Sequence, residues 1–176
     1  IREAANVIID AVENGLKYLI TKHKAKQTHK KSRFAMFEGG FHGRTVYALG
    51  HTDMPHSRRT TSDYQDLIPR PVMFKFPEWN EDLTLEKLER QERDVLAYIQ
   101  RFLEEEKDTL AGVIIEPMQG AGGHRIASDN FFRHLLGFFV VRRFGLFPDV
   151  LSNRMLFLSA VTLDNDAIFL KLQNSA

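Results

Sequence analysis

A glycine-rich segment carries the first side chains whose types suit ligand binding. Residues 114–125 read I-I-E-P-M-Q-G-A-G-G-H-R, and the apolar run before Glu116 has the length and β-branching of a buried strand that Pro117 ends. Small residues at 120–123 then leave room for a ligand near the main chain. Ligands of open α/β sheets bind at the carboxyl ends of strands, so Glu116 and Gln119 are candidate polar contacts. The alternative is a tight strand-to-helix connection without a ligand.

A second candidate segment places three chemically different side chains around one glycine. After the apolar run at 34–37 and a glycine pair, the sequence presents the ring of Phe41, the imidazole of His42 and the guanidinium of Arg44. A flat ring stacks on an aromatic ligand, and a guanidinium pairs with a carboxylate or phosphate. The alternative is a core phenylalanine beside a surface arginine.

Alternating strands and helices surround both segments. Apolar runs predict strands at 34–37, 72–76 and 112–116, and apolar residues at three- and four-residue steps predict helices over 2–21 and 83–106. This order predicts an α/β fold with a mainly parallel sheet flanked by helices. Because parallel strands end at a common edge, the two candidate segments should lie side by side there, with their polar side chains facing one cleft.

Three further segments have simpler interpretations. The six lysines and arginines at 22–33 are typical of a solvated loop, and a nucleic-acid patch is the alternative, although no aromatic residues are interleaved. The polar residues at 51–70 predict a long surface excursion. The cluster at 128–130 predicts an N-cap, followed by a helix at 131–136.

Residues 137–176 differ in character from the rest of the chain. They contain many Phe, Leu and Val residues without a clean period and a single lysine, Lys171. Apolar clusters at 155–161 and 167–172 fit two strands or two helical segments. We therefore expect an α/β unit over residues 1–136 and a diverged or unrelated C-terminal tail, which packs loosely or forms a partner surface.

Composition narrows the possible functions. The 176 residues are 43% hydrophobic and include 14 Phe, which is enough for the core of one domain. The net charge of +1 provides no global field to attract nucleic acid or an anionic membrane. The absence of cysteine excludes disulfides and Cys-type zinc sites, and it favours the cytoplasm. We expect no metal site and, because no apolar run reaches about 18 residues, no membrane span.

Two sequence blocks resemble a known family. The blocks F-E-G-G-F-H-G-R-T at 37–45 and V-I-I-E-P-M-Q-G-A-G-G-H-R at 113–125 resemble the class III, pyridoxal-phosphate-dependent aminotransferases. Residues 11–17 and F-P-E-W at 76–79 bring the chain closest to the lysine 6-aminotransferase branch. The resemblance implies part of a fold-type-I large domain, a homodimer, and transfer of an amino group from an amine or ω-amino acid to a 2-oxoacid.

The resemblance also implies roles for the candidate residues. Phe41 would stack on the pyridine ring of pyridoxal phosphate, and Arg44 would bind the carboxylate of the substrate. His42, Glu116 and Gln119 would complete the cofactor-binding set, with Glu116 supporting the aspartate that holds the pyridinium nitrogen. Since the cofactor is the electron sink, protein groups mainly orient it and set its charge.

The chain departs from the family pattern at three places. Residues 7–10 are V-I-I-D where the family has a glycine-rich phosphate-binding turn, and Ala121 stands where the family has a gating glutamate. The aspartate and the lysine that attaches the cofactor have no counterpart, since nothing around Lys171 matches the family motif. We therefore expect this chain to be inactive alone. The alternative function is a non-catalytic α/β interaction or dimerisation module that uses the apolar surface at 137–147.

Overall fold

The computed structural model describes most of the first 140 residues and two strands beyond them. The described residues are 12–21, 24, 32–54, 67–77, 83–106, 109–116, 118–140, 157–162 and 168–171. In chain order the elements are helix α1 (residues 12–21), strand β1 (Arg33–Phe37), helix α2 (Val46–Gly50), strand β2 (Val72–Phe74), helix α3 (Leu85–Glu106), strands β3 (Leu110–Ile115), β4 (Met118–Gln119) and β5 (Arg125–Ile126), helix α4 (Asp129–Val140), and strands β6 (Phe157–Thr162) and β7 (Ile168–Lys171).

Strand β1 lies at the centre of the parallel part of the sheet. It pairs in parallel with β2 on one side and with β3 on the other, and Ala35 is in register with both Val72 and Val113. Phe34 and Phe37 are each 1% exposed, so the strand is buried on both faces. Short continuous apolar runs are typical of strands buried in this way. The predicted strands and the mainly parallel sheet are confirmed.

Two antiparallel strands extend the sheet beyond β3. The full order is β2-β1-β3-β6-β7, in which β6 runs antiparallel to β3 and β7 antiparallel to β6. The apolar clusters at 155–161 and 167–172, which were compatible with either secondary structure, therefore form strands. Their addition makes the sheet mixed while leaving the predicted α/β class intact.

Helices cover both faces of the sheet and produce two apolar clusters. On one face, Ile99 of α3 and Phe131 of α4 pack with Phe37 of β1. The rings of Phe37 and Phe131 meet edge to face, with centroids 6.3 Å apart. On the other face, Leu16 of α1 packs with Phe34. Burial of these large side chains holds the layers together, because each fully buried residue contributes about 1.5–3 kcal/mol.

The helix predictions are confirmed within the described residues. Residues 12–21 of the predicted 2–21 helix are helical, and α3 begins two residues later than predicted. Helix α4 continues past 136 to Val140, so the change in sequence pattern at 137 does not end it. Within the described residues, none of the helices is both long and apolar enough to cross a membrane.

One loop prediction is wrong in part. The segment at 51–70 was predicted to lie on the surface, and its residues 55–66 lie outside the described part of the chain, but His51, Thr52 and Asp53 are all at most 7% exposed. Polar residues are tolerated there because they bond to neighbouring main-chain groups. In the glycine-rich segment, β4 and β5 form a short antiparallel hairpin, and the small residues at 120–123 lie in the turn between them. Most of the basic segment at 22–33 lies outside the described residues, and Arg33 belongs to β1.

A buried carboxylate connects the two helices on one face of the sheet. Glu92 of α3 is only 4% exposed and accepts hydrogen bonds from the main-chain N–H of Ser128, at 2.7 Å, and from the Ser128 hydroxyl. The Ser128 Oγ in turn accepts a bond from the N–H of Phe131 at 3.1 Å, which caps α4 and confirms the predicted N-cap cluster. Glu92 therefore fixes where α4 begins.

Replacement of Glu92 by alanine should destabilise the fold. The Ser128 N–H would lose its acceptor in a partly buried place, so we expect the free energy of unfolding to fall by about 1–3 kcal/mol in urea titrations. Glu89→Ala is the matched control on the same helix, because Glu89 is exposed and forms an ion pair with Arg93, which is also exposed. The control should cost less than about 0.5 kcal/mol. Equal losses for the two variants would contradict the bridging role of Glu92.

Candidate functional site

The two candidate segments meet at the carboxyl edge of β1 and β3. The main-chain N–H of Phe41 donates to Oε2 of Glu116 at 2.8 Å, across 75 residues of sequence. Nearby, the Gln119 Nε2 donates to the carbonyl oxygen of Glu38 at 2.9 Å. The prediction that these segments end side by side is therefore confirmed, because the parallel pairing of β1 and β3 places both ends at one edge.

Phe41 and Arg44 lie together on the accessible side of this edge. The side chain of Phe41 is partly buried, whereas Arg44 is exposed. The central carbon of the Arg44 guanidinium lies 5.8 Å from the centre of the Phe41 ring, within the range of a cation–π contact. A partly exposed aromatic ring and a cation are thus available to the same ligand.

Glu116 differs from an ordinary surface carboxylate in its acidity. Burial raises its pKa from 4.5 to about 7, and this effect exceeds the opposing effects of the Phe41 N–H and the positive charge of Arg125. Near neutral pH the carboxyl group is therefore divided between its protonated and ionised forms. A group of this kind can hold or release a proton beside a bound ligand.

Gln119 is fully enclosed by protein. Its Nε2 donates a hydrogen bond to the Glu38 carbonyl, and its Oε1 has no hydrogen-bond partner among the described residues. This oxygen lies between two glycines, because a Cβ built on Gly39 or on Gly122 would approach it to 3.2 or 3.1 Å. Gln119 therefore connects the β1 turn to the hairpin, and its direct contact with a ligand remains a prediction.

His42 is also enclosed, with 2% of its surface exposed. Its main-chain N–H donates to Thr52 Oγ1 at 3.0 Å, and neither ring nitrogen has a partner among the described residues. Burial, together with the nearby His51 ring, lowers the pKa of His42 to about 3, so its imidazole is neutral at physiological pH. Its predicted ligand contact likewise remains a prediction.

Sequence reasoning missed Asp53 and Arg125. Asp53 Oδ2 accepts a bond from the Gly39 N–H at 2.9 Å, and the Asp53 N–H donates to the Gly40 carbonyl at 2.8 Å. An NH2 group of Arg125 donates to the Glu38 carbonyl. Asp commonly bonds main-chain groups in turns, which was the available signal for Asp53. Arg125 lies at the end of the glycine-rich segment, but its role depends on the hairpin.

The glycines bring the two segments into direct main-chain contact. A Cβ built on Gly122 would collide with the carbonyl oxygen of Gly39, so only a glycine permits this approach. Gly39 itself has φ of +73°, a conformation that other residues adopt at a cost. Gly122 therefore serves hairpin-to-turn packing, whereas the space beside Gly120 and Gly123 is open, and the predicted room for a ligand there stays a prediction.

Lys171 and residues 7–10, which the sequence also singled out, lie on a more distant strand or outside the described residues. The main chain of Lys171 pairs with Phe157, at the same edge of the sheet as the carboxyl end of β3 and two strands away from it. Residues 7–10 lie outside the described part of the chain. Within the described residues, no group of three or more His, Cys, Asp or Glu side chains is arranged to hold a metal ion.

The arrangement suits a flat, charged aromatic ligand. Phe41 provides a ring for stacking, Arg44 a donor for a carboxylate, and Glu116 a carboxyl group that titrates near neutral pH. All three project from a single edge at which the main chain is fixed by hydrogen bonds. These are the groups that an aromatic ring with an ionisable nitrogen would need beside it.

The sequence is similar to aminotransferases. The family described as Aminotransferase class-III matches residues 6–139. The mitochondrial acetylornithine aminotransferase of Candida glabrata is 32% identical over 114 residues, which cover 65% of this chain and 22% of that protein. The mitochondrial 4-aminobutyrate aminotransferase of Mus musculus is 36% identical over 104 residues, which cover 56% of this chain and 20% of that protein.

Solved aminotransferase structures share the fold. The lysine aminotransferase from M. tuberculosis superposes with a TM-score of 0.63 and 24% identity, over 73% of this chain and 30% of that chain. An omega-transferase from Vibrio fluvialis gives a TM-score of 0.57 and 26% identity, with the same coverage of both chains. This chain therefore spans less than a third of the length of each relative.

Replacement of Glu116 by glutamine should stabilise the protein at high pH. The unfolded carboxyl group ionises near pH 4.5 and the folded one near 7, so wild-type stability from this group is greatest at low pH and falls across that window. Glutamine keeps an acceptor for Phe41 and cannot ionise. At pH 8 we expect Glu116→Gln to gain about 1–3 kcal/mol in urea unfolding, and no gain at pH 4. A difference that is constant with pH would contradict this, and Glu89→Gln is the exposed control.

Enlargement of Gly122 should separate the hairpin from the β1 turn. In Gly122→Ala the new methyl group overlaps a main-chain oxygen, which cannot rotate away, so we expect a loss of about 1–3 kcal/mol in thermal or urea unfolding. Gly120→Ala is the matched control in the same turn, since nothing lies within 4 Å of its added Cβ. It should be neutral or slightly stabilising. If both variants behave alike, the close contact is not the cause.

Proposed function

The chain belongs to the class-III aminotransferases, and from this premise we propose that it forms part of the large domain of a pyridoxal-phosphate-dependent transaminase. In the complete enzyme an amino group would move from an amine or ω-amino acid to a 2-oxoacid. The observation that carries the proposal is the bond between the Phe41 N–H and Glu116, which joins a stacking ring and an ionisable carboxyl group at one sheet edge.

The residues of this edge fit the ring portion of the cofactor. When bound, pyridoxal phosphate supplies the electron sink for amino-group transfer. Phe41 would pack against its ring, and Glu116 would set the charge beside that ring through a proton it can hold or lose near pH 7. His42 and Gln119 would complete the cofactor-binding set. His42 is held by its bond to Thr52, and Gln119 by its bond to Glu38.

We propose a lysine-like amino donor that also carries a carboxylate. Arg44 is exposed and lies beside the Phe41 ring, so its guanidinium is available for a substrate carboxylate. Acetylornithine, 4-aminobutyrate and lysine, which the relatives' names contain, all combine an amino group with a carboxylate. The choice among such donors rests on the resemblance of the 76–79 segment and residues 11–17 to the lysine branch.

Catalysis should require more than this 176-residue stretch. Transamination uses a lysine first as covalent anchor and then as the base that moves a proton, and no residue here matches the family lysine. The homodimer is likewise proposed for the complete enzyme. For the compartment we keep the cytoplasm as a prediction from cysteine content, although the two sequence relatives named above are mitochondrial.

Equilibrium dialysis with pyridoxal phosphate tests the site. We expect weak, saturable binding, and Phe41→Leu should weaken it roughly 3- to 10-fold because stacking is worth about 0.5–1.5 kcal/mol beyond buried area. Phe132→Leu is the control, since Phe132 is also partly buried but belongs to α4 and packs against the apolar core. Equal effects of the two variants would refute the Phe41 site. No binding, together with self-association, would favour the interaction module.

Borohydride reduction tests the proposed inactivity. After incubation with pyridoxal phosphate and reduction, we expect mass spectrometry to show no stoichiometric label, and we expect no amino transfer from lysine or ornithine. Lys171→Arg provides the control for labelling at the one lysine of the tail. A stoichiometric label that this variant abolishes would show that the C-terminal strands contribute a rearranged active site, and inactivity would then be wrong.

A further inference from the structure

Main-chain groups of the turn after β1 are held by side chains from other segments. This turn comprises residues 38–42, follows the buried strand β1 and contains Phe41. Its contacts are Glu38 O with Gln119 Nε2 and Arg125 NH2, Gly39 N–H with Asp53 Oδ2, Phe41 N–H with Glu116 Oε2, and His42 N–H with Thr52 Oγ1. A turn containing two consecutive glycines has wide conformational freedom unless such contacts restrict it.

Arg125 contacts both the turn and the apolar core. Its NH2 group donates to the Glu38 carbonyl, and its guanidinium carbon lies 5.6 Å from the centre of the buried Phe76 ring. A Cβ on Gly39 would collide with the guanidinium, so the missing side chain of Gly39 is the space that Arg125 fills. The guanidinium is therefore wedged between the turn and the core.

We propose that Arg125 is a positioning residue, which fixes the Phe41 ring by holding the carbonyl of Glu38. Its importance for a ligand rests on the proposed cofactor site, but its effect on the turn is a property of the ligand-free chain. The geometry supports this role because Glu38 is the last residue before the glycine pair. Rotation of its peptide would be transmitted through Gly39 and Gly40 to Phe41.

Arg125 also influences the second group of the site. Two groups act on the Glu116 carboxyl in the described chain: the Phe41 N–H from the β1 turn and the Arg125 charge from β5, and each lowers the pKa of Glu116. Loss of that charge should raise the pKa further above 7. Arg125 thus affects both the place of the ring and the ionisation of the carboxyl group beside it.

Hydrogen–deuterium exchange of the ligand-free chain, resolved by residue, tests the positioning role. In Arg125→Gln we expect exchange at the amides of Phe41 and His42 to accelerate about tenfold or more, since a charge-assisted bond is lost. Amides of β3 should change less than about twofold, which separates a local release from general destabilisation. Arg101→Gln is the matched control, because that guanidinium also lies over a ring, 5.7 Å from the centre of Tyr98, without contacting the turn.

A pH titration of the Phe41 amide chemical shift provides a second test. Its midpoint would not change if Arg125 only stabilised the fold. The midpoint reports Glu116 and should rise in Arg125→Gln. In Arg125→Lys, which retains the charge, the midpoint should stay near the wild-type value while exchange at Phe41 still accelerates. This second variant also decides the question if the glutamine variant does not fold.

The outcomes test the positioning role of Arg125 and the proposed cofactor site separately. Unchanged exchange at Phe41 in both Arg125 variants, or equal acceleration in Arg101→Gln, would overturn the positioning role. If the Arg125 variants release the turn as expected, addition of pyridoxal phosphate to the wild-type chain then tests the proposed function separately. Slowed exchange at Phe41 on addition supports the cofactor site, whereas no change refutes that site and leaves Arg125 as a determinant of the turn.

Discussion

The parallel pairing of β1 with β3 is the constraint on which the candidate site depends. Burial of both faces of β1 fixes its register, since Ala35 must lie beside Val113 for the surrounding apolar side chains to remain in their clusters. Once that register is set, the chain leaves both strands at the same edge. Phe41 and Glu116, which are far apart in sequence, are thereby brought to the same edge, where they form a hydrogen bond.

Desolvation at this edge determines the chemistry of the polar groups. Main-chain groups of this partly buried turn need partners, and here side chains of Gln119, Asp53, Thr52 and Glu116 supply them. The same environment raises the pKa of Glu116 and lowers that of His42, because each charged form loses hydration. Structural support and altered acidity therefore have one physical cause, and neither can be changed alone by a substitution that exposes the turn to water.

Local sequence signals identified the strands and the two motif segments, because β-branched runs and glycine-flanked polar residues act over a few positions. They did not distinguish strand from helix at 155–161, since a short apolar run is compatible with both. They also missed Asp53 and Arg125. The bond of Asp53 to Gly39 forms once the segment after α2 returns to the turn after β1, and the bond of Arg125 to Glu38 forms only after the hairpin has packed beside that turn. Contacts created by tertiary packing leave no periodic trace in sequence.

Preorganisation of Phe41 is what the proposed cofactor site would gain from the convergence of so many groups on one short turn. An aromatic stacking contact contributes little beyond its buried area, so a mobile Phe41 would lose much of that gain as the ring became ordered on binding. A turn already held at Glu38, Gly39 and Phe41 has lost this freedom during folding, when the core supplies the driving force. The ring can then bind a flat ligand with a smaller entropic penalty. In the proposed cofactor site, the contacts beneath Phe41 would therefore contribute to affinity through the order that they impose on the ring, although none of them needs to touch the ligand.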